Sequence, residues 1–260
     1  MGTAEIQGSL WGAAAEDWSA LVEPLSTPLY DAVLDGVGVT AGTHLLDAGC
    51  GAGHALQLAR RRGATGSGLD ASEGLLSIAR RRLPGADIRQ SALVDLPFEA
   101  DTFDAITAFN SVQYAADPVT ALREVARVAK PGARLAVVTW SPAERCETRV
   151  VLAAIGGLLP PPPPVPAVPL PSASPGSSRT LVTAAGLTPK DADEVAVPFV
   201  FPNLDTAARG HQSSGPAQRA IQVTGRAAVE AALRDALEPS IQADGTSRHD
   251  NAFRYLVATA

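Results

Sequence analysis

The chain has 260 residues, 46% hydrophobic and 18% charged, with a formal net charge of −6 at pH 7 and a pI near 5.2. That length suits one large domain or two small ones without a disulfide or metal staple, and two distant cysteines, Cys50 and Cys146, fit a reducing compartment and offer no zinc ligand set. The acidic balance argues against broad contact with nucleic acid or anionic lipid, no apolar run reaches the ~18 residues of a spanning helix, and Met1 to Gly12 has no leader pattern, so a soluble, cytoplasmic protein is expected.

Residues 1–40 read as a helical cap. Leu10, Trp11, Ala14, Ala15, Trp18, Leu21 and Val22 recur at helical spacing, and Pro28 to Val37 forms a second helix ended by glycines. Over residues 43–141 strands and helices then alternate. His44–Ala48, Thr65–Leu69, Asp87–Ser91, Phe103–Phe109 and Arg134–Thr139 are the strands. Ala52–Arg62, a helix capped by Ser72 and one capped by Asp117 ahead of Pro118 lie between them. Such alternation predicts a parallel sheet covered on both faces.

The pattern breaks after Trp140. Residues 158–176 read as a proline-rich surface loop, with five consecutive prolines from Pro160. Ser178–Ala185 looks helical and Val195–Phe201 looks like a strand near an edge, because of Pro198. Residues 203–240 read as a helical insert, with short helices over Asn203–Ser213, Pro216–Val223 and Thr224–Leu237. Gly210, Ser213, Ser214 and Gly215 between them suggest a hinged lid. Residues 248–260 hold a closing strand, Phe253–Ala258.

The strongest chemical signal is Leu45-Leu46-Asp47-Ala48-Gly49-Cys50-Gly51-Ala52-Gly53, an apolar strand running into alternating glycines and a helix. Asp70 ends the next strand about 20 residues on, where a carboxylate can accept both hydroxyls of a ribose. Loop and acid together point to a nucleoside-containing cofactor. The dinucleotide fingerprint is incomplete, since His54 stands where a third spaced glycine would fall.

These residues resemble the class I S-adenosylmethionine-dependent methyltransferases, in the small-molecule branch typified by ubiquinone and menaquinone biosynthesis. The likeness covers Tyr30 to about Trp140. It rests on LLDAGCGAG, GLDAS, LPFEADTFDAITAFNSVQY and AKPGARLAVVTW, in that order. The resemblance implies a Rossmann-like α/β fold: a seven-stranded, mostly parallel sheet with helices on both faces and the last strand, FRYLVA, antiparallel between two parallel ones. It implies S-adenosylmethionine as cofactor. Gly49, Gly51 and Gly53 would line its methionine part, with Asp47 near the amino group. Asp70 would hold the ribose and Ala71 would lie on the adenine. Asn110 would sit beside the transferring methyl. The branch usually has an acidic residue where Ala92 stands, so the adenine contact passes to Ser91, to the backbone near Leu93, or to water. No [DN]PP[YF] signature of nucleobase or glutamine methylation is present; Phe109-Asn110-Ser111-Val112 occupies its place.

Other residues carry two readings each. Trp11 and Trp18 either cap the cofactor or pack the N-terminal helix, and Tyr30 either touches the cofactor or does not. The Arg60–Arg62 and Arg80–Arg82 triplets complement helix C-termini rather than mark a nucleic-acid patch. His44 is structural, His249 sits solvated in a polar turn, and His54 packs at a helix start. His211 lies in the insert that, by the same resemblance, would roof the substrate, and is the candidate base. Methyl transfer from a sulfonium is a one-step in-line displacement in which alignment does much of the work, so no catalytic dyad is required. The expected acceptor is a small, neutral or aromatic molecule facing Gln113, Tyr114, Trp140 and His211. No metal site is expected, and oligomeric state is open. The rival readings are an S-adenosylmethionine-binding protein that does not methylate, in cyclisation or as a partner subunit, and a nicotinamide-dependent dehydrogenase.

Overall fold

The computed structural model describes residues 2–160 and 176–260. The proline-rich loop read over 158–176 thus falls, except for its ends, outside the described residues. The N-terminal segment is not one helix through Leu10 to Val22. Helix α1 (Thr3–Gly12) ends where Ala14 leaves helical geometry at φ −137°. A short α2 (Ala15–Asp17) widens into a π-turn over Trp18–Val22 and tightens into a 3₁₀ turn over Glu23–Ser26 before α3 (Thr27–Gly36). A single π-turn of this kind often marks a functional site.

Strand and helix then alternate as expected: β1 (His44–Ala48), α4 (His54–Arg61), β2 (Thr65–Asp70), α5 (Glu73–Arg82), β3 (Asp87–Gln90), β4 (Phe103–Phe109), α6 (Pro118–Val128) and β5 (Ala129–Trp140). Both caps form, Ser72 Oγ accepting from the Leu75 amide and Asp117 from the Val119 amide. The second half differs more. Helix α7 (Arg149–Gly157) was not visible in the pattern. After α8 (Ser177–Ala184), the strand read over Val195–Phe201 is two elements: β6 (Thr188–Ala196), and β7 (Phe199–Phe201), which leaves the main sheet past Pro198 to pair with β8 (Ser247–His249). Helices α9 (Leu204–Gln212), α10 (Gly215–Thr224) and α11 (Arg226–Leu237) precede β8, and β9 (Ala252–Thr259) closes the chain.

Among the described residues the main sheet has seven strands in the order β3-β2-β1-β4-β5-β9-β6. β9 runs antiparallel to both neighbours and is inserted between β5 and β6. Alternation along each strand separates two apolar layers. Leu45, Ala105, Ala136 and Phe253 face a cluster with Val33, Leu56, Leu76 and Leu233. Leu46, Ile106, Val137 and Leu256 face a second with Leu122, Val125 and Leu181. Strand order reverses between β1 and β4, so the loops leaving them part and open a crevice above the sheet's C-terminal edge.

Phe103 anchors the layer away from that crevice. It is fully buried, with Phe98 at 5.1 Å and His44 at 4.7 Å between ring centres. Phe103→Ala is expected to lower stability by about 3–5 kcal/mol in urea denaturation. Ligand affinity of the folded fraction should be unchanged.

Candidate cofactor and acceptor site

The crevice is a cavity of about 430 Å³. Asp47, Gly49, Gly51, Asp70, Ala71, Leu93 and Asn110 line it, as do Trp18, Tyr30, Gln113, Tyr114, Trp140 and His211. Gly53 does not. It caps α4 with φ +83° and packs against Ala79 and Leu83, so its role is the turn and the helix–helix contact.

The glycine loop is shaped by what crosses it. Gly49 has φ +91°, and a Cβ there would lie 2.2 Å from Ser111 Cβ, on the loop after β4. Ser111 Oγ donates to the Ala48 carbonyl at 2.5 Å and holds the two loops together. Only glycine fits that crossing. Carboxylates then take the loop's amides. Asp70 Oδ2 accepts from Gly51 N–H at 3.0 Å and its Oδ1 from Ser72 N–H at 2.9 Å. Glu23 Oε1 accepts from Ala52 N–H at 3.0 Å.

Glu23 was not visible as a site residue. It is buried, on the 3₁₀ turn that follows the π-turn, and pairs with Arg82. Arg82 also donates to the Ala52 carbonyl at 3.0 Å and the Ser19 carbonyl at 2.8 Å. The last arginine of its triplet is therefore a latch between the N-terminal segment and the glycine loop, not merely a cation at a helix end. Burial raises the Glu23 pKa, opposed by the Arg82 charge and hydrogen bond. Arg82→Met should cost about 3–5 kcal/mol in urea denaturation, by stranding that carboxylate. Arg82→Lys should recover only part of it, because one ammonium does not reproduce a planar fork across three acceptors.

Asp47 is buried on β1 and accepts from Thr107 Oγ1 at 2.9 Å. Burial pushes its pKa up to about 7, against the Thr107 bond and with the Glu23 and Asp70 charges adding. Burial likewise raises Asp70. Three carboxylates thus meet at one loop with a single guanidinium among them, a setting that favours a cationic ligand. The free protein binds more protons here than its unfolded chain does, so its stability should fall as pH rises from about 4 through 7. Asp47→Asn should flatten that slope in thermal unfolding followed against pH.

Asn110 sits just past β4 at φ +50°, in the left-handed region that asparagine tolerates better than most residues. Its Oδ1 is buried and has no partner within the protein. Trp11 and Trp18 pack the N-terminal segment and also border the cavity. They meet edge-on at 4.8 Å, pack with Leu75 and Ile78, and line the cavity. Tyr30 stands edge-on to Phe109 at 4.6 Å. His54 packs beside Tyr30 and bonds Thr27 Oγ1 at 2.9 Å.

The far half is aromatic. Trp140 lies 4.3 Å from Phe253 and 5.9 Å from Phe199, with Val151 and Ile155 of α7 on the same wall. Helices α9 and α10 roof it through Gly210, His211, Ser214 and Pro216. The glycines there are closely packed: a Cβ on Gly210 would meet Phe201, and one on Gly215 would meet Trp11, each at 2.7 Å. His249 is not solvated. It is buried on β8 with its ring 5.9 Å from that of His211. His211 is itself buried, and burial with the His249 charge pushes its pKa down to about 3. No group of side chains suited to a metal ion occurs among the described residues, and no helix among them is long and apolar enough to cross a membrane.

Residues 46–137 match the family model for a methyltransferase domain. The family likeness is carried by this region of the chain. The chain is similar to methyltransferase GfsG of Streptomyces halstedii, 37% identical over 122 residues, or 44% of this chain and 42% of that one. It is 35% identical over 132 residues to the ubiquinone biosynthesis O-methyltransferase of Hahella chejuensis, covering 48% and 54%. It spans about half the length of the curated relatives it matches. The [4+2]-cyclase SpnF shares the fold, with a TM-score of 0.57 over 89% of this chain and 80% of that one at 22% identity.

Proposed function

We propose that the protein transfers a methyl group from S-adenosylmethionine to a small, neutral or aromatic acceptor. One observation carries this: a single cavity joins a carboxylate-ringed glycine loop to an aromatic compartment that no Lys or Arg lines among the described residues. The first half suits a cationic nucleoside and the second an uncharged partner.

The residues present fit the cofactor on three counts. Gly49 and Gly51 bring loop backbone to the cavity wall, the carboxylates answer a sulfonium and an ammonium, and Asn110 Oδ1 is a buried acceptor without a donor in the protein. Each Asp70 oxygen already accepts one amide and keeps a lone pair for a ribose hydroxyl. Asp47 faces the ammonium, while Ala71, Ser91 and Leu93 flank the adenine, with Ala92 adding no charge. Trp18 and Tyr30 close the cofactor side, and Gln113, Tyr114 and Trp140 border the acceptor. His211, uncharged at neutral pH, is the base. When bound, S-adenosylmethionine supplies a methyl group already activated for displacement. The chain's part is to hold both partners in line and keep water out.

Asp70→Ala should weaken S-adenosylmethionine binding roughly tenfold to a thousandfold in calorimetry, since hydrogen bonds to a charged group contribute about 1.5–3 kcal/mol each. Unchanged affinity in folded Asp70→Ala would remove the ribose assignment. Product mass decides the reaction. A methyl gained in place of hydrogen supports transfer, and an unchanged mass would favour the cyclisation-type reading that the fold shared with SpnF keeps in view.

A further inference from the structure

Besides Asn110, two polar side chains in the cavity wall have an atom with nothing to bond. His211 and Thr148 are each more than nine-tenths buried, and His211 Nε2 and Thr148 Oγ1 find no partner within the protein. Their surroundings hold them in place for other reasons. The Thr148 amide donates to Asn251 Oδ1 at 3.0 Å, ahead of α7. The His211 ring is wedged among Phe201 at 5.4 Å, His249 at 5.9 Å and Phe199 at 6.4 Å. Neither needs its unpaired atom to keep its place. Buried polar atoms are nearly always satisfied, and one left without a partner is expensive.

We infer that the acceptor is an uncharged ring compound carrying a hydroxyl group, its ring against Trp140, Phe199 and Phe253 and its hydroxyl between His211 Nε2 and Thr148 Oγ1, and that the product is its O-methyl ether. The inference rests on the methyl-transfer reading above. With its proton on Nδ1, the imidazole offers the Nε2 lone pair to the acceptor O–H. The Thr148 hydroxyl donates to the same oxygen, whose second lone pair stays free to attack. As the C–O bond forms, the C–S bond of the sulfonium breaks and its electron pair stays on sulfur. The acceptor proton passes to Nε2, so the positive charge leaves the sulfonium and ends on the imidazolium. Burial keeps His211 uncharged beforehand, the state this step needs. The absence of Lys and Arg from the described lining argues against a phosphorylated or carboxylated acceptor. A site built to hydrogen-bond a hydroxyl discriminates strongly against an analogue without one.

The test uses 2-naphthol, 2-methoxynaphthalene and 2-naphthoate, titrated into the full chain saturated with S-adenosylhomocysteine, so that binding is read without turnover. The expected result is 2-naphthol binding about tenfold more tightly than 2-methoxynaphthalene, with 2-naphthoate weaker still. His211→Phe, which keeps an aromatic ring, and Thr148→Val, which keeps the shape, should each erase most of the preference for the hydroxyl. His211→Gln should restore part of it, which a merely structural role for the ring would not do. Equal binding of the naphthol and its ether, no naphthol binding at all, or a preference that survives both substitutions overturns the inference. The calorimetric affinity for S-adenosylhomocysteine is a separate readout. Its absence overturns the cofactor reading, whereas normal cofactor affinity without a hydroxyl preference overturns only the acceptor assignment.

Discussion

The glycine loop is held from two sides by carboxylates, and the rest of the site depends on that grip. Asp70 reaches it from β2 and Glu23 from the N-terminal segment. Loop amides left free would present a positive nest to an anion, as in phosphate-binding loops. Here carboxylates cover two of those amides, and the local field is turned over. Adding Asp47 beneath leaves an anionic pocket whose repulsion a cationic ligand relieves. The same geometry that resembles a dinucleotide loop in outline therefore selects the opposite charge. That is a stronger argument against a nicotinamide pyrophosphate than the absent third glycine.

Arg82 makes the arrangement tolerable and ties two distant parts of the chain together. Buried ion pairs seldom add much net stability, because desolvation offsets the attraction. Their use lies in geometry. This guanidinium joins the Ser19 carbonyl, the Glu23 carboxylate and the Ala52 carbonyl, so the N-terminal cap cannot leave the loop without stranding charge. The π-turn at Trp18–Val22 is the local adjustment that lets Trp18 face the cavity while Ser19 and Val22 stay buried.

The glycine-loop half of the cavity was legible in the sequence, and the aromatic half was only partly so. Strands β1 to β5 announce themselves because each is a short apolar run between turn residues, and Ser72 and Asp117 mark helix starts by side-chain chemistry alone. Asp47, Asp70 and Asn110 follow, since they sit at fixed offsets from those strand ends. Glu23 and Arg82 could not be found that way. Their partners are 59 residues apart in the chain, and an arginine closing a helix satisfies the dipole rule whether or not it does anything else. Most of β6, ahead of Val195, was missed because its Lys190, Asp191, Asp193 and Glu194 break any apolar pattern; as an edge strand it is solvated and needs little apolar content. α7 was missed because Val150 and Leu152 blur its amphipathic stripe, both being exposed.

His249 shows the same limit from the other side. Flanked by Arg248 and Asp250 it reads as a polar turn, yet pairing with β7 turns alternate residues inward, and Ser247 and His249 are buried while Arg248 is not. A period of two over three residues is too short to see in a sequence. Its consequence is chemical. A second imidazole beside His211 adds a reason for His211 to stay neutral, so a strand hidden in a polar stretch helps set the protonation state of the cavity's one histidine. Phe199 of the aromatic wall and the imidazole of His249 beside His211 thus owe their places to one piece of topology, the pairing of β7 with β8 outside the main sheet.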